Sequence, residues 1–181
     1  EDVSIVVIAG ANGELDSAKV ELASAEISAA DVLLLQGEVG VNAARTAALV
    51  AAAAATKVIF NPAPFNEVVP AVLPLADVVI VNRHEAEQLG DVQVPVVITT
   101  LGAQGCEVKV GSDVTMVDAP AVEVVDPTGA GDAFVGAFAV AYVDTEDAVA
   151  AALIAVRAGA AAVSSVGAQP SMPTWEQIDS V

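Results

Sequence analysis

Hydrophobic residues fall along this chain in short continuous runs rather than in strict alternation with polar ones. Residues 4–9 carry Ile-Val-Val-Ile, residues 32–36 carry Val-Leu-Leu-Leu, and residues 57–61, 77–81 and 96–100 are built the same way. Short β-branched runs bounded by Gly, Asn or Pro are expected of strands buried on both faces, as in a parallel sheet. Pro62 lacks a ladder donor and closes the third run. Residues 122–125 read as a further strand, ended because Pro127 holds Asp126 extended. Residues 106–110 and 114–117 read as a hairpin joined by the three-residue loop Gly111-Ser112-Asp113. Between the runs lie alanine-rich stretches, 41–55, 133–142 and 146–163, which read as helices, the last initiated at Thr145. Strands alternating with helices predict an α/β fold with a mostly parallel sheet, and residues 1–181 are enough for a single domain.

In such sheets ligands bind beyond the carboxyl ends of the strands, so the residues just past each run are the candidates for chemistry. The run 32–36 ends at Gln36-Gly37-Glu38, where Gln36 and Glu38 are candidates for hydroxyl contacts; the alternative for Glu38 is a solvated charge before the next helix. After 77–81 come Asn82 and, three residues on, Glu85. An amide and a carboxylate so spaced can face one cavity and serve a hydrated Mg²⁺, or can form a capping box at an exposed helix start. His84 between them reads as a solvated or capping residue. Thr100-Leu101-Gly102-Ala-Gln-Gly105 is a turn, and Cys106 after it a small buried apolar residue. After 122–125, Gly129 and Gly131 bracket Ala130 at a helix start, where unpaired N–H groups and the helix dipole suit an anion. Asp132 at that mouth could take a proton from a hydroxyl attacking phosphorus; it could also merely cap the helix.

Composition narrows the function classes. Twenty-four acidic against six basic residues give a formal charge of −18, which argues against a nucleic-acid surface. Scarce lysine with abundant Asp and Glu fits either a protein working in high salt or simply an acidic, low-lysine proteome. No apolar run suits a membrane span, and Glu1-Asp2-Val3 does not open a signal peptide. The single cysteine fits a reducing compartment, so the expected location is cytoplasmic.

Asp126-Pro-Thr-Gly-Ala-Gly-Asp132 resembles the D-[TP]-x-G-A-G-D signature of the ribokinase-like carbohydrate kinases. Asn61-Pro62-Ala63-Pro64, Asn82-Arg-His-Glu85, Thr100-Leu101-Gly102-Ala-Gln-Gly105 and Gly167-Ala-Gln-Pro-Ser171 are in the family's order. The resemblance implies a three-layer α/β/α, Rossmann-like, mostly parallel sheet. It implies ATP-dependent phosphorylation of a sugar hydroxyl, with Asp132 as catalytic base and sugar contact, and Gly129, Ala130 and Gly131 as the anion hole. Glu38 would touch the sugar; Asn82, Thr100, Gly102, Gly105 and Gly131 would bind the nucleotide; Glu85 would act on Mg²⁺ indirectly. A monovalent cation, K⁺ by expectation, would lie among Asp126, Thr128, Ala162, Ser165, Gly167 and Ser171. The Gly167–Ser171 turn tilts the substrate toward D-ribose. Another family sugar (fructose, a keto-deoxy sugar acid, a nucleoside) and a non-catalytic nucleotide- or sugar-binding module are the alternatives.

Departures from the family pattern accompany the match. Where the family places a His or Asn against adenine, this chain has Val156, with Arg157 beside it. No Gly-Gly-x-Gly-x-Asn sugar-binding run occurs, so the family's amino-terminal strands and most of its sugar lid are not represented. Residues 1–13 read as a remnant of the lid strand and its return to the core, and the resemblance implies a homodimer formed through the lid. Around Leu89, Gly90 and Asp91 the chain reads as too short for a parallel crossover with its helix. Either residues are missing there and before Glu1 and the remainder joined, or the chain is a fragment; the first is the expectation, because deleting the family's amino-terminal strands would expose a broad apolar sheet face.

Overall fold

The computed structural model describes residues 8–181, so the expected strand at 4–9 lies almost wholly outside the described residues. Of the expected lid remnant, Gly10–Glu14 form a 3₁₀ turn. The short helices α1 (Ser17–Leu22) and α2 (Ser24–Ala29) come next; the sequence pattern did not predict them. Then come β1 (Val32–Gln36), α3 (Val41–Ala54), β2 (Lys57–Asn61), α4 (Val69–Val72), β3 (Val78–Asn82), α5 (Arg83–Leu89) and β4 (Val96–Thr100). The chain continues through β5 (Cys106–Val110), β6 (Asp113–Val117), α6 (Ala130–Thr145), α7 (Ala148–Ala162) and α8 (Trp175–Asp179).

The six strands form one sheet in the order β1-β2-β3-β4-β5-β6. The first four are parallel, and β5 and β6 are added antiparallel at one edge. Because successive side chains point to opposite faces, each continuous apolar run feeds two cores. Ile59, Val78, Ile80 and Ile98 meet Phe134, Phe138 and the alanines of α7 on one side. Val58, Phe60, Val79 and Val81 meet Ala44, Ala48 and Ala51 of α3 with Val68 and Val72 on the other. The result is the expected three-layer α/β/α arrangement. A broad apolar sheet face is not open among the described residues: exposed apolar strand side chains are confined to the outer strands, Leu34 on β1 at one edge and Val110, Val114 and Met116 on β5 and β6 at the other. At the amino ends of the strands Lys57 Nζ lies 3.1 Å from Asp77 Oδ1, and this bond raises the lysine pKa.

Several expectations need correction. Residues 122–125 are irregular, not a strand. The N–H groups of Val125 and Asp126 donate to the Val163 carbonyl at 2.8 and 3.1 Å, so the segment is tied to the end of α7 rather than to a sheet neighbour. Helix α6 runs on to Thr145, and α7 starts after Asp147, whose Oδ1 accepts from the N–H groups of Val149 and Ala150. Thr145 therefore ends one helix instead of starting the next. The hairpin loop is two residues, since Val110 pairs with Asp113 and Gly111 takes the positive φ of 59°. Residues 83–95 connect β3 to β4, and α5 begins directly after the last residue of β3. No helix among the described residues is long and apolar enough to cross a membrane.

Candidate active site

The carboxyl ends of β1 to β4 and the N-terminus of α6 converge on one edge of the molecule. Gly129, at φ 83°, is the N-cap of α6 and makes no side-chain cap bond. A Cβ on it would lie 2.8 Å from Met172 Cε and 3.2 Å from Ala168 Cα, so the signature turn rests directly on the 167–171 turn. Ala130 N–H is turned back to the Pro127 carbonyl at 3.3 Å. Among the described residues the N–H groups of Gly129, Gly131 and Asp132 have no acceptor, and that of Ala130 has only this long turn bond. They sit at the positive end of a sixteen-residue helix.

Asp132 does not cap its helix. Its Oδ1 instead accepts from Gln36 Nε2 at 3.5 Å, across the end of β1, and the carboxylate is exposed. Glu38 lies ahead of α3, whose N-cap is Gly40, so it is not a first-turn helix charge; its Oε2 accepts from Asn12 Nδ2 at 3.5 Å. Gly37 lets this strand end press against the 62–66 loop: a Cβ there would meet the Pro64 carbonyl oxygen at 2.2 Å.

Two cavities open on either side of the α6 N-terminus. One, of about 490 Å³, is lined by Thr100, Gly102, Gly105, Gly131, Phe134 and Val156 among others. It brings together four of the five residues expected to hold a nucleotide; the fifth, Asn82, is the register partner of Thr100 across β3 and β4. The other, of about 480 Å³, runs from Asp132 along α6 to Met172 and Trp175. Asp132 borders the second cavity, but its bond from Gln36 lies toward the end of β1, and neither Gln36 nor Glu38 lines that cavity.

Asn82 and Glu85 form the capping box of α5: Asn82 Oδ1 accepts from Glu85 N, and Glu85 Oε2 accepts from Asn82 N, both at 2.8 Å. The expected exposure of Glu85 is wrong, since it is 9% exposed. Capping occupies one carboxylate oxygen. No buried side-chain oxygen lacks a partner among the described residues, so Oε1, which has none, keeps contact with solvent. That suits a carboxylate holding a metal through water, and excludes neither role. No cluster of three or more His, Cys, Asp or Glu side chains poised for a metal occurs among the described residues.

At the expected cation site, Asp126 Oδ1 accepts from Thr128 N at 2.9 Å and Oδ2 from Gly167 N at 2.8 Å, stitching the two turns together. The Thr128 side chain, with the Gly167 and Thr128 backbone donors, holds the Asp126 pKa below the usual carboxylate range. Buried Ser171 donates to the Ala168 carbonyl at 2.7 Å, and the Ala162 carbonyl accepts from Ser165 N at 3.3 Å. The Ala168 carbonyl also accepts from Ser171 N at 3.3 Å, whereas the Ala162 carbonyl keeps a lone pair that a cation could use. Cys106 is buried, which pushes its thiol up to about 12 and makes it inert. The apolar wall that residues 119 to 124 give the first cavity was missed by sequence reasoning, because residues 122–125 resembled a strand.

Residues 1–175 match the pfkB family of carbohydrate kinases. The chain belongs to that family. A ribokinase from Bacillus subtilis is 34% identical over 98% of the chain. A ribokinase structure from Thermotoga maritima superposes with a TM-score of 0.88 at 28% identity, and one from Arabidopsis thaliana, complexed with ribose and ATP, with 0.82 at 25%. Both cover 98% of the chain. In all three cases the chain spans 64% of the relative's length.

Proposed function

We propose that the protein transfers the γ-phosphoryl group of ATP to a primary hydroxyl of a sugar, D-ribose to D-ribose 5-phosphate, in the cytoplasm. The observation that carries this reading is the placement of the free N–H groups of Gly129, Gly131 and Asp132 and of the Asp132 carboxylate between the apolar cavity and the end of β1. Adenosine would occupy the apolar space beside Thr100 and Gly105, and the sugar the β1-end side of Asp132, near Gln36 and Glu38. The sugar oxygen forms its bond to the γ-phosphorus as the bond to the ADP oxygen breaks, and its proton passes to the Asp132 carboxylate. The N–H groups donate to the transferring oxygens as charge develops there. Asn82 and Glu85 are the residues that would hold magnesium, which supplies charge neutralisation on the phosphates. Oxygens of Asp126, Thr128, Ala162, Ser165, Gly167 and Ser171 would hold a potassium ion behind the turn.

Ribose is favoured over the family's other sugars by the Gly167–Ser171 turn and by the relatives' names. A coupled ADP-release assay on the full-length protein, run with ribose, fructose, a keto-deoxy sugar acid and a nucleoside, tests the choice. Ribose should give the highest kcat/KM. A faster alternative sugar would move the substrate, and tight calorimetric binding with no turnover on any sugar would make the protein a binding module.

A further inference from the structure

The chain holds six cations against twenty-four acids, and their placement leaves one of them at the nucleotide mouth. Lys57 begins β2 and Lys109 pairs opposite Val97 near the start of β4, so both lie toward the far end of the sheet. Arg157 is tied to the C-terminus by bonds to the carbonyls of Asp179 and Val181. Lys19 donates to the Glu14 carbonyl, and Arg45 is exposed on α3. Arg83 is different. It is the first residue of α5, directly after Asn82, at the carboxyl end of β3.

Its side chain reaches across to the next strand end: Nη2 donates to Gln104 Oε1 at 2.7 Å. Gln104 closes the 3₁₀ turn Gly102–Gln104, and Gly102 and Ala103 of that turn line the apolar cavity. The guanidinium therefore joins the Asn82 end of β3 to the turn whose residues Gly102 and Ala103 line the cavity. A guanidinium carries five N–H donors, and the bond to Gln104 uses one. Nε and Nη1 have no partner among the described residues. Asp132, Glu38, Asp126 and Glu85 surround the same edge with negative charge, which a magnesium-bound triphosphate shares.

We propose that Arg83, held by Gln104, is the protein's own counter-charge for the triphosphate of the nucleotide. Gln104 fixes one edge of the guanidinium and leaves the other for phosphate oxygens, a planar fork that lysine does not reproduce. This inference rests on the kinase reading, and its test separates the two. Binding of Mg·ATP and of adenosine is measured by calorimetry for wild type, Arg83→Ala, Arg83→Lys and Gln104→Ala in the full-length protein, beside KM and kcat. Arg83→Ala should weaken Mg·ATP about tenfold and leave adenosine unchanged, with Lys and the Gln104 variant in between. Arg83 is exposed, so melting should not move, and the Lys variant gives the reading if it does. Unchanged Mg·ATP affinity in Arg83→Ala, or equal losses for ATP and adenosine, would overturn the assignment while leaving the kinase reading intact. A wild type that binds no ATP would defeat the kinase reading itself.

Discussion

Replacing Gly129 by alanine probes the turn that the whole site is built on. The residue holds φ 83°, where an L side chain costs about 1–2 kcal/mol. The added Cβ would meet Met172 Cε at 2.8 Å, which can swing away, but also Ala168 Cα at 3.2 Å and Ala168 O at 3.3 Å, which are backbone. Relieving those contacts moves the two turns apart by a few tenths of an ångström and adds roughly another 1 kcal/mol. Together the loss is about 2–3 kcal/mol, and for a domain of this size that lowers Tm by roughly 4–12 °C. The same shift tilts the N–H groups of Gly129 and Gly131, and misplacing one such donor typically costs about 10²–10³ in kcat. Thermal melting and steady-state kinetics of one purified variant read both numbers. Gly136→Ala on the same helix is the stability control: its Cβ meets nothing within 4 Å, and removing a helical glycine should be neutral or stabilise by about 0.5–1 kcal/mol. A Gly129→Ala protein with unchanged melting and kcat would refute the turn geometry.

Glu85→Gln keeps a side chain able to close the capping box, so stability should change by less than about 1 kcal/mol, while the magnesium concentration for half-maximal rate rises. An unchanged magnesium titration would remove Glu85 from the metal. Asp126 is depressed in the folded state, so its hydrogen bonds stabilise above the ordinary carboxylate pKa and their contribution is lost as pH falls through the lower folded value. Acid unfolding curves of wild type and Asp126→Asn should therefore converge at the acid end and separate toward neutral pH; parallel curves would contradict this. Activity should rise more with K⁺ than with a bulky organic cation at equal ionic strength, and equal rates would count against a specific cation behind the turn.

The legible parts of the fold were those in which local chemistry and tertiary role agree. Residues 57–61 and 96–100 are apolar, β-branched and closed by turn residues, and they are strands with the expected bounds. The run 122–125 has the same local chemistry but ends in bonds to Val163, a partner nearly forty positions away that periodicity cannot reveal. Helices α1 and α2 are too short for a readable period and hold by packing near α3, where Val20 and Ile27 join its core. Thr174 and Gln177 form a capping box at α8, a pattern present in the sequence that was overlooked. Within the candidate site, Asp132 and the glycine turn were legible because one short contiguous motif carries them. The bond from Gln36 and the bridge from Arg83 to Gln104 are made between strand ends that only the sheet order brings together.

The most direct test of the account is kcat of Asp132→Asn with the best sugar, measured beside ATP affinity and melting temperature. Asparagine keeps the volume, and because Asp132 makes no cap bond its loss removes only a favourable first-turn charge, about 0.3–1 kcal/mol. It cannot take the hydroxyl proton, and general-base catalysis is worth about 10²–10⁴-fold. The account predicts kcat lowered by at least about 10²-fold with ATP binding and melting nearly unchanged; a near-normal kcat would contradict it.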